Sequence, residues 1–168
     1  MNITLLKQIS LLSVIIGAGV GLLSNLPFIG YMIFTLYFLI FAACLIIYLK
    51  KNDILGDLTI KEGAVLGAII GITSFAGFIV AFLPICIVKG FFVNNFLGTI
   101  LADGFSNPLM FFTLIFMLVL VALLSGLMNG FSGGVTAYIY QLLAEYTKGQ
   151  YQSFREQAGF DNNFNKRN

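Results

Sequence analysis

Four long runs almost free of charge decide what this chain can fold into. They cover residues 9–26, 28–49, 60–88 and 108–140. A helix needs about 20 apolar residues to cross a hydrocarbon core roughly 30 Å thick, and each run is long enough. Transmembrane strands are a poor alternative, because the runs are too long and lack strict alternation. Composition agrees: 59% of the 168 residues are apolar and 10% are charged, where a soluble domain carries about 25% charged residues. A chain this short has a high surface-to-volume ratio and could not cover a water-soluble fold. The expected fold class is an all-α membrane protein with four transmembrane helices. They form a single domain over residues 1–148, followed by a polar tail over 149–168 that is expected to be disordered.

Boundary signals fit the four runs. Asn25-Leu26-Pro27 is a turn with Pro placed to open the second helix, where a missing N–H costs nothing. Thr59-Ile60-Lys61-Glu62 has the form of a capping box for the third. Asn107-Pro108 repeats cap-then-proline for the fourth. Pro84 is expected to kink or end the third helix. The first run has Lys7 before it but no A-x-A-like site around Ser24-Asn25, so it reads as an uncleaved helix.

Basic residues set the orientation. Four spans put Lys7, Lys50, Lys51, Lys61, Lys148, Arg155, Lys166 and Arg167 on one side and Lys89 alone on the other. The positive-inside rule then places both termini in the cytoplasm. On the outer side, residues 90–107 can form an amphipathic helix, with Phe92, Phe96, Leu97, Ile100, Leu101 and Phe105 on one face. Asn95, Thr99, Asp103 and Ser106 fall on the other, the pattern of an interfacial or re-entrant segment. The fourth helix is too long for the bilayer. It must project into the cytoplasm or bend near Gly133-Gly134, where Tyr138, Tyr140 and Tyr146 suit an interface.

Small residues recur at four-residue spacing, which puts them on one helix face. Ser13, Gly17 and Gly21 do so in the first helix, Gly63, Gly67 and Gly71 in the third, and Gly126, Gly130 and Gly134 in the fourth. In lipid such GxxxG-type faces let backbones approach, so these nine residues are the expected helix-packing surfaces. The second helix, with Phe34, Tyr37, Phe38 and Phe41, lacks such a face and is expected at the periphery, its bulk toward lipid or knobbed into glycine surfaces.

Little in the chain can do chemistry. It has no His, which removes Ser-His and Cys-His nucleophile pairs, His-ligated zinc and HExxH sites. Cys44 and Cys86 both lie in apolar runs and read as small buried hydrophobes. Gly17-x-Gly19-x-Gly21 fails as a dinucleotide fingerprint because Leu22 stands where the third glycine belongs. No ionisable residue lies near the centre of any run, and such residues mark transport and proton relays. Asp53, Asp57 and Glu62 sit together only at the cytoplasmic edge, with loop and cap positions mixed. The polar residue that stands out at depth is Asn129, whose amide must find a partner. No catalytic residue, metal site, cofactor or nucleic-acid partner is expected. The bilayer is the partner, with a homo-oligomer or other membrane proteins beside it.

The order of these features carries a resemblance: GLLSNLPFIG ending the first helix, an aromatic second helix, LTIKEGAVLGAIIG opening the third, and LLSGLMNGFSGG in the fourth. Over residues 11–140 the chain resembles small four-helix bacterial integral membrane proteins of unknown function. The resemblance implies a multi-pass protein of the bacterial inner membrane and brings no catalytic residues. The expected function is a structural, assembly or interaction role through helix packing, and not an enzyme. The alternative is an oligomeric channel or small-solute transporter.

Overall fold

The computed structural model describes residues 3–26, 29–93 and 107–164. Four helices account for nearly all of them: α1 Ile3–Leu23, α2 Ile29–Lys51, α3 Ile60–Val93 and α4 Pro108–Phe164. All four are long and apolar enough to cross a membrane.

Local chemistry sets the ends. The turn after α1 closes through Ser24 N–H to the Val20 carbonyl and Leu26 N–H to the Leu23 carbonyl, and Gly30 N–H to the Leu26 carbonyl starts α2. At the end of α2, Ile54 N–H bonds to the Leu49 carbonyl at 3.0 Å and Asp53 N–H to the Lys50 carbonyl at 3.1 Å. Asp53 has φ 54°, the left-handed conformation that completes a Schellman cap, here on Asp rather than Gly. Thr59 and Glu62 form the capping box: Glu62 N–H donates to Thr59 Oγ1 at 3.3 Å and Thr59 N–H to Glu62 Oε2 at 3.0 Å. Asn107 caps α4, its Oδ1 accepting from Leu109 N–H at 3.1 Å.

Two helices run beyond the ends read from the sequence. α3 does not end at Pro84 but continues to Val93. Pro84 is exposed, and membrane helices tolerate proline within them. α4 continues unbroken through Gly133-Gly134 and past residue 140, and its helix extends over most of the tail expected to be disordered. Gln150, Gln152, Arg155, Glu156, Gln157 and Ala158 there are good helix formers. At 57 residues α4 is roughly 85 Å long at about 1.5 Å per residue, so it runs well past a hydrocarbon core of about 30 Å. The amphipathic segment expected over 90–107 falls mainly on residues 94–106, outside the described residues, while 90–93 continue α3.

α3 is the central helix, with α1 parallel on one side and α4 antiparallel on the other, as the residue pairs below require. α2 packs over the junction. Its Ala42, Leu45, Ile46 and Leu49 join Ile9, Leu55, Leu66 and Ile70 in one buried cluster. Its Tyr37 joins Phe75 and Phe78 in a second, with Phe34, Phe41 and Phe82 against them. The aromatic bulk of α2 therefore turns inward, with the Phe34 and Phe78 ring centroids 5.2 Å apart. Met32, Leu36, Leu39 and Ile40 face outward. Cys44 also faces outward, against expectation, whereas Cys86 is buried.

Candidate functional site

The described residues converge on one buried polar node, built around Asn129 on α4. A helix in lipid satisfies its own backbone, so a side chain that can bond another helix's backbone must reach it through a gap between packed side chains. That gap comes from glycines. A Cβ on Gly67 would collide with the Asn129 carbonyl and lie 3.2 Å from the Gly130 Cα. On Gly71 it would lie 2.6 Å from the Ser125 carbonyl oxygen and 2.8 Å from the Asn129 Cβ, and on Gly63 it would lie 2.7 Å from the Gly133 carbonyl oxygen. Backbone thus meets backbone along α3 and α4.

Asn129 is 1% exposed and every arm of its amide that can bridge helices is engaged. Oδ1 accepts the Ala42 N–H of α2 at 3.0 Å. Nδ2 donates to the Phe38 carbonyl at 3.2 Å and to the Ser125 carbonyl at 3.0 Å. Phe38 C=O and Ala42 N–H are the two ends of one i→i−4 rung of α2. The carboxamide therefore lies along a rung of another helix and pairs with both its ends, as a peptide group would. Ser125 extends the node to α3, its Oγ donating to the Gly71 carbonyl at 3.1 Å, and Ser74 Oγ donates to the same carbonyl at 3.2 Å.

The structure brings the nine small residues to different surroundings. Gly63, Gly67 and Gly71 face α4. Their contacts there are mainly with Ser125, Asn129, Gly133 and Ala137, and of the expected series Gly126, Gly130 and Gly134 only Gly130 lies close, its Cα 3.2 Å from a Cβ built on Gly67. Gly126, Gly130 and Gly134 lie one residue further round, where added Cβ atoms would meet the Ile72 side chain at 2.8 Å, the Ala64 carbonyl at 3.2 Å and the Ala64 Cβ at 3.4 Å respectively. They floor an apolar lateral groove of about 620 Å³ with Ala64 and Ala68. On α1, Gly17 faces the Ser74 carbonyl and Gly21 the Phe78 carbonyl. Ser13 is fully buried and bonds its own helix at the Ile9 carbonyl, 2.8 Å away. Gly77 of α3 faces the Val14 carbonyl and completes that interface.

Gly77, Gly133, Ser125 and the α2 rung were not singled out as contacts from sequence. The readable signal was the second four-residue series on α4, Ser125-Asn129-Gly133-Ala137, whose polar members need partners in lipid and so mark the buried face.

Lys89 donates to the Asn25 carbonyl at the end of α1, a cation at a helix C-terminus. Asn25 Nδ2 donates to the Gly21 carbonyl at 2.9 Å and Cys86 Sγ lies 3.6 Å from Asn25 Oδ1. Asp53, Asp57 and Glu62, the three acidic residues between α2 and α3, have separate duties. Asp57 pairs with Lys50 at 3.2 Å, Glu62 caps α3 and Asp53 closes α2. Among the described residues no group of three or more His, Cys, Asp or Glu side chains could hold a metal ion.

No protein-family model matches this chain, and no curated protein and no solved structure matches it.

Proposed function

We propose that this protein is a multi-pass membrane component with a structural, assembly or interaction role exercised through helix packing, and that it is not an enzyme. The observation that carries the reading is the engagement of Asn129. Its amide bonds Phe38 and Ala42 of α2 and the Ser125 carbonyl of its own helix, so its polar atoms are taken up in holding α4 to α2. The glycine faces of α1, α3 and α4 are the packing surfaces in this reading, and a homo-oligomer or other membrane proteins are the partners. The charge asymmetry supports both ends in the cytoplasm, and the resemblance to small bacterial four-helix proteins supports the inner membrane.

The alternative, an oligomeric channel or small-solute transporter, needs a polar path. Ser13, Thr73, Thr113 and Thr136 bond carbonyls of their own helices, which leaves little to line one. Purified protein in liposomes tests the choice. The expected result is no solute flux above protein-free vesicles, together with a specific partner or self-association recovered from native membranes. A flux abolished by Asn129→Leu would replace the packing role with a channel. Reporter fusions at the two ends test the orientation, and opposite compartments would overturn it.

A further inference from the structure

A cleft of about 650 Å³ opens where α4 passes the loop between α2 and α3, within the range of about 300–1,000 Å³ usual for small-molecule sites. The apolar spans of α2 and α3 end and begin there, at Lys51 and Ile60, so in a bilayer the cleft lies at head-group level. Its apolar lining includes Ala137, which is buried, and Leu58, which is half-buried. Gln141 Nε2 donates to the Leu58 carbonyl at 3.0 Å and ties the loop to α4. Glu145 and Lys148 follow Gln141 four and seven residues on, which stacks them on the same helix face beyond that tie. Both line the cleft, and so do Lys50 and Asp57 from the opposite side. The lining therefore carries two cations and two anions. Lys50 is held in place: its ammonium donates to the Gly56 carbonyl at 2.9 Å and to Asp57 at 3.2 Å, which uses two of its three protons. Among the described residues neither Glu145 nor Lys148 is in an ion pair. A purely anionic ligand would meet the carboxylates of Asp57 and Glu145, and a purely cationic one the ammonium groups of Lys50 and Lys148. A zwitterion offers an opposite charge to each pair. If its cation is a primary ammonium it also donates hydrogen bonds to the carboxylates, which a quaternary ammonium cannot.

We propose that this cleft binds the phosphoethanolamine head group of a phospholipid, its phosphate against Lys50 and Lys148 and its ammonium against Glu145 and Asp57. The inference rests on placement in a bilayer and not on the packing role. Its failure would leave the unfolding midpoint and self-association of the protein unchanged, and these are read separately.

The test uses the full chain in mild detergent, titrated with phosphatidylethanolamine, phosphatidylcholine or phosphatidylglycerol carrying identical acyl chains, with bound lipid counted by native mass spectrometry. Exposed charge pairs are individually weak, so one phosphatidylethanolamine is expected to be retained about fivefold more tightly than either of the others. Glu145→Gln leaves the phosphate partners and removes an ammonium partner, so the preference over phosphatidylglycerol should vanish. Lys148→Gln should weaken retention of all three lipids. Glu145 and Lys148 are exposed, so both variants are expected to keep the wild-type unfolding midpoint. Ala144→Trp, at another exposed lining position, fills the cleft and should remove the bound lipid. Equal retention of the three lipids by the wild type would overturn the proposal. So would a phosphatidylethanolamine preference that survives both Glu145→Gln and Ala144→Trp. Soluble glycerophosphoethanolamine shares the head-group chemistry but has no acyl chains; if it displaces the lipid at equal concentration, the ligand is a soluble phosphodiester and the lipid assignment fails.

Discussion

Alanine in place of individual glycines separates backbone contact from mere glycine content. At Gly71 the new Cβ would lie 2.6 Å from the Ser125 carbonyl oxygen and 2.8 Å from the Asn129 Cβ. Ordinary carbon contacts are about 3.5–4.0 Å, so α3 and α4 must part by roughly 1 Å. Overpacking of this kind is destabilising by about 1–3 kcal/mol. Separation also stretches the Ser125 Oγ bond to the Gly71 carbonyl, now 3.1 Å, a bond worth about 0.6 kcal/mol in a membrane protein. Against this, Ala improves helix propensity by up to about 1 kcal/mol. The net for Gly71→Ala is a loss of about 1.5 kcal/mol, and Gly67→Ala, opposed by the Asn129 backbone, should lose at least as much. At Gly134 the nearest atom is the Ala64 Cβ at 3.4 Å, and at Gly19 nothing lies within 4 Å. Gly134→Ala and Gly19→Ala should be neutral or stabilising by a few tenths of a kcal/mol on the same propensity argument. Reversible unfolding by sodium dodecyl sulfate in mixed micelles, followed by helical circular dichroism, reads these differences. Equal midpoints for Gly71→Ala and Gly134→Ala would refute the assignment of the contact face.

Other expectations concern the node and the ends. Asn129→Ala removes bonds to α2 but leaves Phe38 and Ala42 able to close their own rung, so a loss of about 1–2 kcal/mol is expected in the same assay. Asn129→Asp should be worse at neutral pH, since a carboxylate accepts from Ala42 but cannot donate to Phe38 or Ser125; its deficit should shrink as the pH falls, because the protonated acid is a donor again, and a deficit independent of pH would argue against the donor role. Thr59→Ala removes the reciprocal cap of α3 and should lower stability by about 1 kcal/mol, with no change in oligomeric state by light scattering. A lipid-soluble maleimide should label outward-facing Cys44 and spare buried Cys86, as peptide mass spectrometry would report; label at Cys86 in the folded protein would contradict the packing of α1 on α3.

Much of the architecture was legible because the bilayer imposes a coarse rule: apolar length decides spans, and Pro, Thr, Asn and Glu at their borders mark starts. The capping box at Thr59 and the Asn107 cap follow from chemistry within three or four residues. The end of α4 was not legible in this way. Residues 149–164 are polar, and a polar composition does not distinguish a solvated helix from an unstructured tail; helix propensity carried on from a helix already nucleated in the membrane. Cys44 was misread because apolar flanks exist on both the lipid-facing and core-facing sides of a membrane helix, so composition loses its inside–outside meaning there. For the same reason the sequence left the α2 aromatics two placements, toward lipid or against the glycine faces.

The choice between the two four-residue series of α4 shows what glycine alone leaves undecided. Gly126-Gly130-Gly134 and Ser125-Asn129-Gly133 differ by one residue, and either could offer α3 a smooth face. Turning α4 by one residue would trade small groups for small groups at little cost in packing. It would also carry Asn129 toward lipid, where an unpaired amide is unfavourable by several kcal/mol. Glycine thus permits the approach and the amide selects the rotation, the register role best attested for buried polar groups. This is measurable by cross-linking in a Cys44→Ser, Cys86→Ser background. The Ala64 Cβ and the Cβ position of Gly134 are 3.4 Å apart, close to the 3.5–4.5 Å span of a disulfide. Ala64→Cys with Gly134→Cys should therefore bridge on mild oxidation, while Ala64→Cys with Val135→Cys should not. Adding Ser125→Ala and Asn129→Ala removes the selector and leaves the glycines, and the second pair should then begin to bridge. If the first pair still bridges alone and fully, the glycine faces hold the register by themselves, and the amide has no part in choosing it.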